Sequence, residues 1–70
     1  MKFTPKQKEI LEMAKEKGFV TIESFYSVFS SPISRKANYE RFIALGILTA
    51  VDGKFKLNPE KLKEVDGRGN

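Results

Sequence analysis

The sequence contains neither cysteine nor histidine. Without cysteine no disulfide can stabilise the fold, and without either residue the usual structural zinc sites are excluded. The same absences remove the commonest general base and the thiol nucleophile. A glycine-rich phosphate-binding loop is missing too. We therefore expect a protein that is not an enzyme and that has no metal, cofactor or small-molecule substrate.

Long apolar runs are also missing. No stretch approaches the roughly 20 residues that a membrane span requires, and no signal-peptide apolar region follows Met1. We therefore expect a cytoplasmic protein with no membrane partner. With 70 residues the chain can form one domain at most, and apolar side chains alone, including six Phe and two Tyr, must hold it together.

Positive charge is in modest excess and is unevenly distributed. Thirteen Lys and Arg residues oppose nine Asp and Glu residues, so the formal net charge is +4. Residues 32–58 contain five basic and two acidic side chains, and so carry most of the excess. A positive surface favours nucleic acid as a partner, but many ordinary soluble domains are equally basic. Charge alone therefore does not identify the function.

Start and stop signals indicate the first two helices. Thr4-Pro5-Lys6-Gln7 predicts a helix start in which the side chains of Thr4 and Gln7 form a capping box. Gly18 is placed to end this helix in a left-handed conformation. Thr21 predicts the start of a short second helix with an apolar stripe of Ile22, Phe25, Tyr26 and Phe29. Phe19-Val20, between the two helices, could form a brief strand.

The start of the third helix has two interpretations. In the first, Ser31 caps the helix and Pro32 occupies its first position. In the second, which we favour, Ile33 is buried in the corner between helices and Ser34 is the cap. The basic pair Arg35-Lys36 would then begin the exposed part of the helix. Positive charge there opposes the helix dipole at a cost of about 0.3–1 kcal/mol, which suggests a use in binding phosphate or guanine.

The segment after the third helix predicts a β-hairpin. Leu45-Gly46-Ile47-Leu48 indicates a glycine stop followed by a strand, and Asp52-Gly53 is a strong signal for a two-residue turn. The predicted strands are Leu48–Val51 and Lys54–Leu57. Counting outward from the turn pairs Val51 with Lys54 and continues to Leu48 opposite Leu57. This register places Leu48, Ala50, Phe55 and Leu57 on an inward face, and Thr49, Val51, Lys54 and Lys56 on an outward face.

The C-terminal part predicts one more short element. Asn58-Pro59 can cap and start a last helix, in which Leu62 and Val65 are the apolar residues. Residues 66–70 contain two glycines and no apolar side chain. We therefore assign residues 1–65 to a single domain and residues 66–70 to a flexible C-terminal tail.

The order of these elements, from Thr4 to Leu62, resembles the winged helix-turn-helix family, in particular small archaeal or viral regulators. The residues that carry the resemblance are Thr4-Pro5-Lys6-Gln7, Ile10-Leu11, Ile33-Ser34-Arg35-Lys36, Phe42 through Leu48, and Asp52 through Leu57. The resemblance implies an α+β fold of three helices, a two-stranded wing and a short C-terminal helix. It also implies a double-stranded DNA-binding protein, such as a small transcriptional regulator, with the third helix in the major groove and the wing on the backbone.

The resemblance also implies a set of DNA-binding residues. By position they are Ser34, Arg35, Lys36, Asn38 and Arg41 on the third helix, and Lys54 and Lys56 on the wing. Some have simpler explanations. Ser34 could be only a cap, Asn38 only an exposed polar residue, and the wing lysines could serve to block edge-to-edge aggregation.

Two further expectations concern partners. Winged helices also join proteins, and the acidic residues Glu40 and Asp52 near the expected DNA surface favour a protein-protein interaction module as the alternative function. Tyr26, Val28 and Ile43 lie outside the tightest apolar stripes of their helices, so they could contribute to a partner surface. We expect a possible homodimer, because one module of this size gives limited DNA specificity.

Overall fold

The computed structural model describes residues 2–68, without the side chain of residue 68. Over this range the fold is α+β, with four helices and a three-stranded antiparallel sheet. The elements in chain order are α1 (Pro5–Lys17), β1 (Phe19–Val20), α2 (Ile22–Val28), α3 (Pro32–Ala44), β2 (Leu48–Val51), β3 (Lys54–Leu57) and α4 (Pro59–Arg68). Within residues 2–68, every helix is too short or too polar to cross a membrane.

Helix α1 begins and ends as the sequence predicts. The Thr4 hydroxyl accepts a hydrogen bond from the Gln7 backbone at 3.2 Å, and Gln7 Oε1 accepts one from the Thr4 backbone at 2.9 Å. These two bonds form the predicted capping box. Gly18 then takes a left-handed φ of +87° and donates its N–H to the Ala14 carbonyl. The chain therefore leaves α1 directly into β1, which confirms the brief strand expected at Phe19-Val20.

The favoured start of the third helix is wrong, because α3 begins at Pro32 with Ser31 as its cap. The Ser31 side chain accepts from the Ser34 backbone at 3.4 Å, and Ile33 is 82% exposed rather than buried in the corner. Proline suits the first helical position because its fixed φ is already helical and its missing N–H is not needed there. Arg35 lies at the corner between α2 and α3. Its guanidinium donates hydrogen bonds there to the backbone carbonyls of Phe29 and Ser30.

The end of α3 and the hairpin confirm the predicted signals. Gly46, at φ +79°, donates to the Ile43 carbonyl, and Ile47 donates to the Phe42 carbonyl, which is the Schellman pattern of a helix end. Positive φ angles at Asp52 (+48°) and Gly53 (+78°) form the turn. The four cross-strand pairs are those counted outward from this turn, from Val51 with Lys54 to Leu48 with Leu57.

One detail of the hairpin differs from expectation, because Ala50 is exposed and not part of the core. The strand order is β1-β3-β2, so β3 is central and β2 lies at an edge. The helices cover the inner face of the sheet at Leu48 and Leu57, and reach Phe55 on the central strand. They do not extend over Ala50 on the edge strand. Strand pairing was therefore predictable, whereas the extent of helix coverage was not.

The core is organised around Phe25 of α2, whose side chain is completely buried. Its ring centroid lies 5.9 Å from that of Tyr39 and 6.4 Å from that of Phe42, both on α3. It lies 5.5 Å from the ring of Phe55 on β3, in an edge-on arrangement, and 6.2 Å from that of Phe29. Phe25 thus joins α2 to both α3 and the sheet.

Helix α4 extends further than the sequence analysis predicted. Asn58 caps it by accepting from the Lys61 backbone at 3.1 Å, and Leu62 and Val65 are buried against the rest of the domain. The helix includes residues 66–68, which had been assigned to the tail, while residues 69 and 70 lie outside the described range. A glycine at position 67 costs a helix about 1 kcal/mol relative to alanine. A helix anchored by two buried side chains tolerates that cost.

The packing around Phe25 leads to a stability prediction. Phe25→Ala should lower the free energy of unfolding by roughly 3–5 kcal/mol, because it removes a fully buried ring and leaves a cavity among four aromatic neighbours. A 70-residue domain has roughly 4–10 kcal/mol in total, so the variant should be largely unfolded or close to it. Urea unfolding followed by circular dichroism measures the change.

Ile33→Ala is the matched control, since it removes a similar apolar side chain from a position that is 82% exposed. Its unfolding free energy should stay within about 0.5 kcal/mol of the parent value. A loss of 2 kcal/mol or more, roughly the cost of truncating a buried aliphatic residue, would mean that Ile33 occupies the corner after all.

Candidate nucleic-acid interface

The solvent-facing side of α3 is formed by residues that recur every three or four positions. Besides Pro32, the exposed residues of this helix are Ile33, Lys36, Ala37, Glu40, Arg41, Ile43 and Ala44. The opposite side carries Phe42, which is fully buried, and Tyr39, which packs against the core. The exposed side therefore combines small and apolar residues with three charges, of which two are positive.

Lys36 and Arg41 are the predicted site residues that remain free on α3. Neither side chain makes a hydrogen bond or ion pair with another residue in the range 2–68. Five positions apart on a helix, they project from opposite flanks of the exposed side, and Ala37 and Glu40 lie between them. Glu40 forms no ion pair with either of them within the described part of the chain. Both cations are therefore available to a ligand.

Arg35 makes contacts within the protein that were not expected from the sequence. Its Nη1 donates to the backbone carbonyls of Phe29 at 3.1 Å and Ser30 at 3.2 Å, and its guanidinium lies 4.2 Å from the centre of the Tyr26 ring. These carbonyls lie at the C-terminal end of α2, where a positive charge is favourable. The unfavourable charge at the start of α3 is thus explained by the helix before it. The sequence held one signal for this contact: Arg35 follows the end of α2 by only a few positions, so its side chain can reach the carbonyls there.

The side chain of Asn38 and the backbone of Ser34 are also engaged within the protein. The Asn38 Nδ2 donates to the Ser34 carbonyl at 2.7 Å, and its Oδ1 accepts from Gln7 Nε2 at 2.8 Å. Gln7 is the residue that closes the capping box of α1 with Thr4. A continuous chain of hydrogen bonds therefore runs from the start of α1 to the first turns of α3. We call this chain, Thr4-Gln7-Asn38-Ser34, the α1–α3 brace.

Lys54 and Lys56 lie on the outward face of the sheet, as the hairpin register predicts, and both are exposed. They share that face with Phe19, because β1 pairs with β3 so that Phe19 lies opposite Lys56. The Lys54 ammonium is 4.6 Å from the centre of the Phe19 ring. The sequence analysis gave Phe19 no functional role, since only the pairing of a two-residue strand brings it beside the lysines.

The seven predicted residues thus fall into three groups. Lys36 and Arg41 are free on α3, Lys54 and Lys56 lie on the sheet, and Ser34, Arg35 and Asn38 make contacts inside the protein. Comparison with protein-family models, curated proteins and solved structures gives no significant match. The function is therefore inferred from these side chains and their surroundings.

The α1–α3 brace can be tested with a double-mutant cycle. Asn38→Ala should lower the unfolding free energy by about 1 kcal/mol, because it removes two part-buried hydrogen bonds. Gln7→Ala should also destabilise, since it removes both the brace and the capping-box bond. In the double variant the effects should fall short of additivity by about 0.5 kcal/mol or more.

Lys8→Ala, next to Gln7 but exposed, is the control for the cycle and should add to Asn38→Ala without coupling. Strict additivity of Gln7→Ala with Asn38→Ala would contradict the brace. Denaturant unfolding of the parent, the two single variants Gln7→Ala and Asn38→Ala, and the double variant gives the coupling energy directly.

Proposed function

We propose that this chain binds double-stranded DNA in the manner of a winged helix-turn-helix domain and acts as a small transcriptional regulator. In this proposal α3 enters the major groove and the β2–β3 hairpin is the wing beside it. The observation that carries the proposal is the pair of cations Lys36 and Arg41, on the two flanks of the exposed side of α3, which have no ion-pair partner among residues 2–68. A helix that presents positive charge on both flanks matches a groove bounded by two phosphate backbones.

The dimensions and side chains of α3 suit the groove. A helix is about 10–12 Å across with its side chains, and the major groove is about 12 Å wide. Ala37 and Ala44, both exposed, would allow the helix axis to approach the bases closely. Ile33, which is 82% exposed, could contact the methyl group of thymine.

Glu40 does not conflict with this proposal. It lies between Lys36 and Arg41, so its charge is flanked by two positive ones. A carboxylate in the major groove can accept a hydrogen bond from the amino group of cytosine, while Arg or Lys can bind guanine on the same base-pair edge. We therefore assign Glu40 to a base contact, and Lys36 and Arg41 to the phosphates on the two sides of the groove.

The predicted residues that contact the protein itself have a positioning role in the proposal. Arg35 and Asn38 are positioning residues, because they fix the start of α3 against α2 and α1 respectively. A reading helix must hold its side chains in one register along the groove. The hairpin adds Lys54 and Lys56, and their charge would strengthen attraction to the DNA backbone next to α3.

Charge removal on α3 tests the proposal. Lys36→Ala and Arg41→Ala should each weaken binding to a labelled random duplex without changing the unfolding free energy by more than about 0.5 kcal/mol. Loss of a phosphate contact should lower the slope of log affinity against log salt by about 0.9. Fluorescence anisotropy at several salt concentrations measures both quantities.

Lys63→Ala is the matched control, since Lys63 is an exposed lysine on α4, outside the proposed interface. It should leave the salt slope and the affinity nearly unchanged. Absence of duplex binding by the parent protein at low salt would exclude the proposal. Equal binding by the parent and the two α3 variants would exclude α3 as the reading element.

A protein-protein interaction module is the second candidate function. The observation that favours it is the exposure of large apolar side chains near the start of α3, with Ile33 at 82% and Tyr26 at 55%. Chemical-shift mapping with a random duplex separates the candidates. Shifts clustered in residues 34–41 and 51–56 would support DNA binding, and an unresponsive spectrum would support a protein partner.

A homodimer is compatible with either function. Of the three residues expected to be spare, Tyr26 and Ile43 are exposed at 55% and 39%, whereas Val28 packs against the core and is removed from the set. We propose that Tyr26 and Ile43 contribute to contact between two copies. Sedimentation at micromolar concentration should then give about twice the 8.0 kDa chain mass, and Tyr26→Ser should shift the protein to monomer. A single 8.0 kDa species for the parent would exclude the dimer.

A further inference from the structure

A second basic surface lies on the side of the sheet that faces away from the helices. It surrounds a depression of about 340 Å³ lined by Lys17, Gly18, Phe19, Val51, Asp52, Lys54 and Lys56. We call it the outer sheet surface. Its residues come from the end of α1, from β1 and from both strands of the hairpin. Three lysines and one aspartate give it a net positive charge.

The strand register explains why these side chains meet. Phe19 lies directly opposite Lys56, and Lys56 in turn lies opposite Thr49, so the three form one row across the sheet. Lys54 and Val51 form the next row on the same face, because side chains two positions apart share a face. Gly18 ends α1 so that Lys17 reaches the edge of this face. The ring of Phe19 thereby shares this surface with three lysines.

We propose that the outer sheet surface binds single-stranded nucleic acid. A base would stack on the ring of Phe19, and Lys17 and Lys56 would contact the phosphates on either side of it. Aromatic side chains on a sheet, interleaved with basic ones, provide both parts of such recognition, because every base has a π face and every nucleotide a phosphate. The proposal goes beyond duplex binding: it shares Lys54 and Lys56 with the proposed duplex interface and adds Phe19 and Lys17.

The choice of a single strand follows from the aromatic ring. In a duplex the base faces are stacked on one another, so only an unpaired base can present its face to Phe19. A free phosphate or an acidic peptide would need the lysines but would gain nothing from the ring. Val51, which is 44% exposed beside the depression, adds an apolar contact of the kind that a base edge or sugar can cover.

The position of Lys54 is consistent with an aromatic surface that can bind a ligand. Its ammonium lies 4.6 Å from the centre of the Phe19 ring, where the negative face of the ring attracts a cation. A stacking base would take over this face and release the ammonium to a neighbouring phosphate. Lys54 and Lys56 also belong to the proposed duplex interface, so the test relies on Phe19 and Lys17, which belong only to the outer sheet surface.

The experiment measures binding of labelled oligo(dT) and oligo(U), each of about 12 nucleotides, by fluorescence anisotropy across a salt series. Phe19→Leu keeps an apolar side chain but removes the aromatic ring, and should weaken binding about tenfold. Lys17→Gln should lower the salt slope by about 0.7, the value for one phosphate contact on a single strand. A thermal melt of each variant tests whether the fold is retained, and Lys17 is exposed, so its variant should fold normally.

The controls separate this surface from the duplex interface. Lys63→Gln should leave the single-strand salt slope unchanged, and Lys36→Ala should leave the single-strand affinity unchanged. Phe19→Leu should weaken duplex binding much less than single-strand binding, because Phe19 is linked to the duplex interface through its contact with Lys54 and not through a contact with the duplex. Failure of duplex binding alone would therefore leave this proposal standing. A preference for oligo(dT) or oligo(U) would identify DNA or RNA as the strand that the surface takes.

Three results would overturn the proposal. The first is no binding of either oligonucleotide by the parent at low salt. The second is equal affinity for the parent and both outer-surface variants. The third is competition by inorganic polyphosphate as effective as that by the oligonucleotides at equal phosphate concentration, which would show attraction to charge without recognition of a base.

Discussion

The edge-on packing of Phe25 against Tyr39 and Phe55 is the contact on which the arrangement of the domain depends. It joins the consecutive helices α2 and α3 to the more distant strand β3, and Tyr39 and Phe55 also stack on each other with centroids 5.5 Å apart. The helix and the hairpin are thereby fixed to the same ring. The base of the sheet and α3, each next to a surface with a proposed function, are consequently held in a constant relation. In a chain without cysteine, and so without disulfides, this aromatic cluster supplies the order that a cross-link supplies elsewhere.

Polar contacts refine what the aromatic cluster establishes. Packing alone would allow α3 to rotate about its axis or slide by part of a turn. The α1–α3 brace limits such movement on one side, and the contacts of Arg35 with the end of α2 limit it on the other. Both sets of bonds lie in the first two turns of α3. Because the helix is rigid, these first two turns also set the direction of the side chains further along α3, such as Arg41.

The sequence was sufficient for the features that depend on local chemistry. The capping box at Thr4, the glycine ends at Gly18 and Gly46 and the turn at Asp52 all follow from the preferences of a few adjacent residues. Strand pairing followed from counting. The start of α3 was harder, because two serines and a proline offered two caps of similar quality. The folded structure distinguishes them through the exposure of Ile33 and through the contacts of Arg35, which depend on the position of α2.

The candidate site was less predictable for the same reason. A lysine, arginine or asparagine near a helix start can face a ligand or the protein, and residue type alone does not give the direction in which the side chain points. Asn38 faces Gln7, which lies 31 positions away, and Phe19 meets Lys56 across the sheet. Such encounters are created by tertiary structure. Residue type indicated a basic surface correctly, but the division between free and engaged cations required the fold.

The fall in burial along the hairpin has a mechanical consequence. Leu48 and Leu57 anchor its base in the core, whereas the residues from Thr49 to Lys54 around the turn are all exposed. Segments with few buried contacts open at a lower free energy than the core, so the turn end should bend and fray while the base stays closed. By contrast, α3 is braced at its start and packed along one side. The domain therefore combines a stiff helix with a compliant hairpin, and the hairpin can adjust to the shape of a partner without disturbing the helix.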